Sequence, residues 1–163
     1  MLIQSLTANN FRKYKTLTIN DLPEYGVIAI SGLNESGKSS IGEAIFFALF
    51  GRIFSIDETG LQKLIRWGSQ EASVALTIKG DSDDDYQVRR TIDASGNSDA
   101  RLTHLKDNKI IAKGTNATNE AINNMLGYDH STFSDSVFLV ARDLSNPDPD
   151  SASIKQMAGI GEY

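Results

Sequence analysis

Nine consecutive residues carry the clearest chemical signal in this sequence. Gly32 to Ser40 read GLNESGKSS and fill every fixed position of the phosphate-loop pattern GxxxxGK[ST]. Gly32 and Gly37 allow the backbone to take positive φ values and to approach a phosphate closely. Successive N–H groups of such a loop, together with the positive end of the following helix, bind anionic oxygens. These residue types at this spacing predict a nucleoside-triphosphate site.

Individual roles follow from the chemistry of phosphoryl transfer. Lys38 is expected to reach the β- and γ-phosphates, and the Ser39 hydroxyl is expected to ligate Mg²⁺. Lys38 is therefore both a nucleotide-binding and a catalytic candidate. The loop residues predicted to bind the nucleotide are Asn34, Glu35, Ser36, Gly37, Lys38, Ser39 and Ser40.

The flanks of the loop argue against a mere glycine-rich turn before an ordinary helix. The apolar, β-branched run 26–31 precedes the loop and predicts a buried strand. After the loop, apolar residues recur at helical spacing, and three phenylalanines make the helix apolar nearly all round, so it should be buried against a sheet. These apolar residues are Ile41, Ala44, Ile45, Phe46, Phe47, Ala48, Leu49 and Phe50.

The N-terminus predicts a hairpin beside the loop strand. Residues 2–7 and 16–20 have the composition of strands, and the polar stretch 9–15 between them predicts a turn. Arg12 and Lys13 lie in that turn. They are candidate nucleotide contacts, and the alternative is that they are solvated turn charges.

The middle of the chain predicts further strands at 74–79, 86–92, 101–106 and 109–113, then a helix from Thr115 to a glycine stop at Gly127. A last strand is predicted at 136–141. Trp67 could stack on a base, although packing is the commoner role for a lone tryptophan, and we favour packing.

Four cations are candidates for a DNA-binding surface, namely Lys63, Arg66, Arg89 and Arg90. Arg89 and Arg90 are adjacent within a predicted strand, so at least one of them should face outward. An outward arginine can contact a DNA backbone or can simply keep the protein soluble.

Composition sets broad limits. The chain has 163 residues, a formal net charge of −5 and no cysteine. This length suits one domain, and the lack of cysteine is compatible with a reducing compartment. The N-terminus lacks the pattern of a signal peptide, and the longest apolar run is too short to span a bilayer. We therefore expect a cytoplasmic protein, nucleoid-associated if bacterial, without a membrane partner.

A complete phosphate-loop hydrolase also needs an acidic residue at the end of a second apolar strand. The nearest match is the apolar run 137–140, but Asp143 follows it two positions late. Asp143 is nevertheless the first candidate for a catalytic acid. The guanine-reading pattern Asn-Lys-x-Asp is absent, which counts against a GTPase. We expect the chain alone not to turn over nucleotide.

Five motifs in the expected order resemble the N-terminal lobe of an SMC-like ATPase head of the ABC class, most closely the SbcC-type branch of DNA double-strand-break repair. The resemblance covers nearly the whole chain. Besides the Walker A loop at 32–40, the motifs are NFRKY at 10–14, LIRWG with EASV at 64–74, YQVRR at 86–90, and the segments between 126 and 139 that lead to the Q-loop.

The resemblance implies an α/β fold, namely a P-loop NTPase of ABC/SMC-head type whose β-rich hairpin sheet packs on the Walker A helix. Residues 1–152 would form the N-terminal lobe, and residues 153–163 would begin a coiled coil or a truncated linker. The implied cofactors are ATP and Mg²⁺. The implied partners are a C-terminal lobe carrying Walker B and signature motifs, a second head, DNA and an SbcD-type nuclease.

One position departs from the family pattern. Ala141 stands where the family has its Q-loop glutamine, and a methyl group can neither donate nor accept a hydrogen bond. Asp143 could act there only through Mg²⁺, because a free carboxylate is repelled by the γ-phosphate. Two alternatives to an ATPase head stay open at this point: a non-hydrolysing, nucleotide-gated DNA-tethering module, and a small-molecule P-loop kinase.

Overall fold

An antiparallel sheet organises the part of the chain that the structure describes. The structure is a computed structural model, and it describes residues 1–53, 56, 58–80 and 84–136. The chain divides into two compact units, Met1–Met125 and Leu126–Tyr163. The sheet lies in the first unit.

The described residues form six strands and three α-helices. The strands stand in the order β2-β1-β3-β4-β5-β6, and each is antiparallel to its neighbours. Their bounds are β1 (Leu2–Phe11), β2 (Tyr14–Ile19), β3 (Glu71–Lys79), β4 (Asp85–Asp93), β5 (Ser98–His104) and β6 (Lys109–Lys113). The helices are α1 (Lys38–Phe50), α2 (Thr115–Leu126) and α3 (His130–Ser136), and a 3₁₀ helix, η1, covers Glu58–Leu64. No helix among these described residues is long and apolar enough to cross a membrane.

Strand β3 shows why the sheet has one buried and one open face. Its side chains alternate, so that Ala72, Val74, Leu76 and Ile78 are buried while their neighbours are not. Alternation with period two is what a half-buried strand requires. The buried face contacts α1, which lies across β1, β3 and β4.

Helix α1 is buried nearly all round, as its composition predicts. Phe46, Phe47, Ala48 and Leu49 are each at most 1% exposed. The Phe47 ring lies 5.9 Å from the Phe11 ring of β1, measured between centroids. Each fully buried phenylalanine contributes about 1.5–3 kcal/mol relative to an exposed one. This burial fixes the helix that carries the glycine loop at its N-terminus.

Arg90 holds the opposite end of the same helix. It projects from β4 into the buried face and is 2% exposed. Its Nε donates to the Ala48 carbonyl at 2.7 Å, and its Nη2 donates to the Leu49 carbonyl at 2.9 Å and to Asn119 Oδ1 on α2 at 2.7 Å. These carbonyls belong to the last turn of α1, where a cation is favoured by the helix dipole.

Burial lowers the pKa of Arg90 to about 10, so the side chain stays protonated at neutral pH. Within the described part of the chain its hydrogen-bond partners are carbonyl and amide oxygens rather than carboxylates. Gly51 follows the helix with φ of 70°, and a Cβ there would lie 2.8 Å from Arg90 Nη1. A side chain at position 51 would therefore collide with the Arg90 guanidinium, so the position of Arg90 requires glycine at the end of the helix.

The predicted hairpin exists, but its turn is shorter than expected. Strand β1 continues to Phe11, and only Arg12 and Lys13 separate it from β2. The stretch 9–15 is therefore not a loop. Phe11 extends the strand because its ring is fully buried against α1, a gain that outweighs the polar character of its neighbours.

The strand predicted immediately before the glycine loop is wrong. Residues 26–31 take no regular secondary structure, and Val27 is 97% exposed, with Ile28 and Ile30 each 50% exposed. A strand needs a neighbouring backbone to pair with, and none of the six strands of the described sheet pairs with this apolar segment.

Other boundaries also differ from the prediction, since β3 begins at Glu71 and β5 at Ser98, each three residues earlier than expected. Strand β5 ends at His104 rather than at residue 106, because the Asp107 carboxylate folds the following turn back. Asp107 Oδ1 lies 2.6 Å from His104 Nδ1 and accepts from the Lys109 N–H at 3.2 Å. The hydrogen bond that the Asp107 carboxylate accepts from the imidazole raises the pKa of His104. Ser136 ends helix α3 instead of beginning a strand, and the remainder of that predicted strand lies outside the described residues.

In the second unit, Asp129 caps helix α3. Its Oδ1 accepts from the Thr132 N–H at 3.0 Å and from the Ser131 hydroxyl at 2.8 Å. The Thr132 backbone bond is the main reason why the pKa of Asp129 falls to about 2. Tyr128 and Phe133 stack with ring centroids 6.1 Å apart.

Replacement of Arg90 by methionine should lower the free energy of unfolding by roughly 2–4 kcal/mol, because it leaves buried helix-end carbonyls without donors. Urea unfolding at neutral pH measures this. The matched control is Arg89→Met on the exposed side of the same strand, which should change stability by less than about 0.5 kcal/mol. Equal stability of the Arg90→Met variant and the wild type would contradict the capping role.

Candidate nucleotide site

The glycine loop ends in a conformation that only glycine takes easily. Gly37 immediately precedes α1 with φ of 101° and ψ of 9°. A Cβ at this position would lie 2.9 Å from the Tyr14 hydroxyl oxygen, so both conformation and space require glycine. Gly37 makes no side-chain cap, and the first turn of α1 contains no acidic residue. The Ser40 N–H donates to the Gly37 carbonyl at 2.9 Å, whereas the Lys38 and Ser39 N–H groups and the positive end of the helix dipole remain available to an anion.

Lys38 folds over the loop that precedes it. Its Nζ donates to the carbonyls of Gly32 and Leu33, both at 2.8 Å. The ammonium group is exposed and has no carboxylate partner in the described residues. A phosphate that enters the loop can therefore replace these carbonyls as the hydrogen-bond acceptor of Lys38, because its charged oxygens form stronger hydrogen bonds than neutral carbonyl oxygens.

The β1–β2 turn lies against the loop. Lys13 Nζ donates to the Glu35 carbonyl, and the Glu35 carboxylate lies 4.0 Å away. The Tyr14 hydroxyl donates to the Gly37 carbonyl at 3.1 Å. The structure therefore brings the predicted residue Lys13 to the predicted loop. It also adds Tyr14, which sequence reasoning treated only as part of a motif.

Arg12, the other predicted turn residue, points to the helix that follows the loop. Its Nε and Nη2 donate to the two carboxylate oxygens of Glu43, each at 2.9 Å, and its N–H donates to the Leu64 carbonyl at 2.7 Å. The paired side chains are 25% and 11% exposed. Two parallel bonds of this kind fix orientation as well as distance.

Glu43 was missed from the sequence, although a signal was present. It is the one charged residue between Ser39 and Phe50 in an otherwise apolar helix, and it is 9% exposed. A buried carboxylate needs a partner, and Arg12 is that partner. The pair ties the β1–β2 turn to α1, so both sides of the loop are attached to one rigid frame.

These contacts leave an open cleft of about 400 Å³ over the loop, which we call the loop cleft. A second open cleft, of about 470 Å³, lies at the opposite end of the β1–β2 hairpin. The carboxylates of Asp21 and Glu24 line it and make it unsuitable for a triphosphate. The loop cleft is lined by Lys13, Glu35, Gly37, Lys38, Ser39 and Ser40, six of the residues predicted to bind the nucleotide.

The donor set of the loop cleft fits a phosphate-bound Mg²⁺ ion. Mg²⁺ usually takes one or two protein oxygens and completes its shell with phosphates and water. The Ser39 hydroxyl supplies such an oxygen at the start of α1. The described residues contain no cluster of three or more histidine or acidic side chains that could bind a metal without a nucleotide. Asn34 and Ser36 belong to the same loop, and Asp143 lies outside the described residues.

The predicted DNA-binding set is not one surface. Arg90 is buried under the sheet, as shown above, so it cannot contact DNA, whereas Arg89 is exposed on the other face. The choice of packing for Trp67 was also wrong, because its side chain is 96% exposed. Trp67 sits in the turn after η1, where no element of the described chain covers it.

A glycine loop that opens a buried helix beside an antiparallel sheet defines a P-loop NTPase of ABC/SMC-head type, as predicted. A solved SMC ATPase structure, reported for ATP-driven dimerization and DNA-stimulated activation, superposes with a TM-score of 0.69 at 22% identity and covers 96% of each chain. At that identity the likeness shows the fold alone.

Sequence comparison then gives the family. The AAA domain family AAA_23 matches residues 5–159, and the chain belongs to it. The DNA double-strand break repair Rad50 ATPase of Methanocaldococcus jannaschii is 33% identical over 168 residues, covering 100% of this chain and 16% of that protein. The SbcC component of the SbcCD nuclease of Deinococcus radiodurans is 45% identical over 56 residues, 34% of this chain and 6% of that protein. The resemblance to the N-terminal lobe of an SMC-like, SbcC-type head is confirmed. The chain spans only a small part of these relatives.

Replacement of Lys38 by alanine should weaken binding of Mg·ATP by at least about 100-fold, because the loop loses the cation that can move onto the phosphates. Isothermal titration calorimetry measures the affinity, and circular dichroism checks the fold. Lys106→Ala, in the distant β5–β6 turn, is the control for loss of a surface lysine. A folded Lys38→Ala chain with wild-type affinity would exclude the loop cleft as the nucleotide site.

Proposed function

We propose that this chain is the ATP-binding half of an SMC-like ATPase head, which couples ATP binding, hydrolysis and head engagement to DNA binding or processing. The loop cleft is the observation that carries the proposal. The cleft brings together Lys38, whose acceptors are neutral carbonyls, the Ser39 hydroxyl and the uncapped N–H groups at the start of α1. Family membership and the Rad50 and SMC relatives support ATP as the nucleotide.

The apolar segment 26–31 supports completion by a C-terminal lobe of the same head. This segment leads directly into the loop, yet its apolar side chains are exposed and its backbone has no strand partner in the described sheet. Exposed apolar surface of this kind marks a contact site. A strand from a second lobe would bury these side chains. In this proposal residues 1–152 are the N-terminal lobe, and residues 153–163 begin a coiled coil or a linker.

Within the head, the residues of this chain bind and orient the triphosphate. Lys38 and the N–H groups at the start of α1 hold the β- and γ-phosphate oxygens, and Ser39 positions Mg²⁺. Mg²⁺ neutralises the charge that develops on the phosphates during transfer. Lys13 and Asn34 are proposed as further nucleotide contacts beside Glu35, Ser36, Gly37 and Ser40. Arg12 is proposed to reach the nucleotide only if it exchanges the Glu43 carboxylate for phosphate. Asp143 is proposed as a catalytic group acting through Mg²⁺.

The further partners are proposed from the relatives. A second head would complete the nucleotide site, and the SMC structure reported for ATP-driven dimerization supports this. The similarity to a component of the SbcCD nuclease supports an SbcD-type nuclease as a partner. DNA association and a cytoplasmic location, nucleoid-associated in a bacterium, agree with relatives named for DNA repair.

A non-hydrolysing, nucleotide-gated DNA-tethering module is the second candidate. Ala141 favours it, because an alanine cannot perform the hydrogen bonding of the family's Q-loop glutamine. The two functions differ in turnover by the assembled head and not in nucleotide binding. Phosphate release by the full assembly, with and without DNA, separates them.

The chain alone should bind Mg·ATP without turning it over. Each missing charge-stabilising group of a phosphoryl-transfer site costs orders of magnitude in rate, and the acidic strand end is not in this sequence. A steady-state phosphate-release assay on the purified chain measures this, with Lys38→Ala as the background control. Turnover that exceeds this background and disappears in Asp143→Ala would show that the chain already holds its catalytic acid.

A further inference from the structure

Three cations stand side by side across one edge of the sheet. Arg89 of β4 is the direct register partner of Arg101 in β5, and Arg101 is the direct partner of Lys113 in β6. Neighbouring strands lie about 4.8 Å apart, so the three side chains start from a line about 10 Å long that runs perpendicular to the strands. We call Arg89, Arg101 and Lys113 the cation row.

The cation row points away from the core. Each of the three cations has a buried neighbour in sequence, namely Val88, Leu102 and Ala112. Because successive strand residues face opposite sides of a sheet, the cations face away from the core. The three cations are all exposed. In β3 to β6, none of the described residues that share their side of the sheet is buried, so this side is an open face.

This arrangement is unfavourable for the isolated chain. Like charges placed directly opposite each other on neighbouring strands destabilise a sheet. None of the three cations forms an ion pair with a described residue. The nearest acid in register is Asp99, which is paired with Thr91 rather than with a cation. The other acids on this side of the sheet, Glu71, Asp85 and Asp93, also lie in other register rows, so the row itself is purely cationic.

We propose that the cation row is a contact site for the sugar-phosphate backbone of DNA on the open face of the sheet. A line of exposed cations matches a linear array of phosphates, and arginine binds phosphate through two parallel hydrogen bonds. Thr91 and Thr103 flank Arg89 and Arg101 on the same face and can donate hydroxyl groups to phosphate oxygens. The row contacts phosphates and does not read base sequence.

This site is separate from the loop cleft. The cation row belongs to β4, β5 and β6. The loop cleft is lined in part by the β1–β2 turn, and β1 and β2 lie at the opposite edge of the sheet from β5 and β6. Arg90 is next to Arg89 in sequence and yet belongs to the opposite, buried face. The inference rests on the proposed DNA association of the head, but it does not depend on nucleotide binding at the loop.

The test compares the wild-type chain with the triple variant Arg89→Gln, Arg101→Gln, Lys113→Gln. Fluorescence anisotropy with a labelled duplex of about two helical turns gives the affinity at several salt concentrations. Each lost phosphate contact should reduce the slope of log affinity against log salt by about 0.9, so the triple variant should lose about 2–3 units of slope. Its melting temperature should be unchanged or higher, because the repulsion is removed.

Lys15→Gln is the matched control, since Lys15 is an exposed lysine of β2 that alternates onto the other face. It should retain the wild-type salt slope. A wild-type slope in the triple variant, or the absence of salt-dependent DNA binding by the wild-type chain, would overturn the site. Tighter binding of poly-glutamate than of DNA would overturn the choice of ligand.

The Lys38→Ala variant keeps the two proposals distinguishable. It carries an intact cation row and should bind the duplex with the wild-type salt slope while it no longer binds Mg·ATP. Loss of the slope only in the triple variant supports the row even if nucleotide binding fails. If the wild-type chain binds Mg·ATP normally and the triple variant keeps the wild-type salt slope for DNA, the proposal for the cation row is wrong and the proposal for the nucleotide site is unaffected.

Discussion

The hydrogen bonds that Arg90 donates to the end of helix α1 are the interaction on which the remaining structure depends. A buried guanidinium is expensive to desolvate, and here three oxygen acceptors at 2.7–2.9 Å offset that cost. Two of these acceptors are the terminal carbonyls of α1, and the third belongs to Asn119 on α2. One side chain of the sheet thereby holds two helices. Arg90 thereby ties the C-terminal end of α1 to the sheet, and the glycine loop precedes the N-terminal end of the same helix.

The loop cleft, the proposed nucleotide site, is consequently assembled from three places rather than from the loop alone. The loop supplies N–H groups and Lys38, the β1–β2 turn supplies Lys13 and Tyr14, and Glu43 in α1 holds the turn through Arg12. The carbonyl partners of Lys38 are neutral, so phosphate can displace them. The salt bridge of Arg12 is partly buried and supports the geometry of the frame. The proposed nucleotide binding depends on this frame and on the one cation, Lys38, whose partners are neutral.

Local pattern predicted most of the sheet and the position of the loop, because alternation and the glycine spacing are properties of short segments. Burial of α1 followed from its composition for the same reason. The apolar segment 26–31 could not be placed in this way. Its composition predicts a strand, but strand formation requires a partner backbone, which local sequence does not reveal. The alternation of Val88 and Ile92 already places Arg90 on the apolar face of β4, a signal that the DNA-binding prediction did not use. Glu43 was overlooked because its partner is 31 residues away.

Binding of Mg·ATP at the loop cleft is tested most directly by backbone-amide NMR of the labelled chain during a Mg·ATP titration. The amides from Gly37 to Ser39 should show the largest shift changes, because their N–H groups meet the phosphates. The amides of residues 26–31 should continue to exchange rapidly with solvent, since the nucleotide supplies no strand partner. Shift changes confined to the acidic cleft around Asp21 and Glu24, with an unchanged loop, would contradict the account.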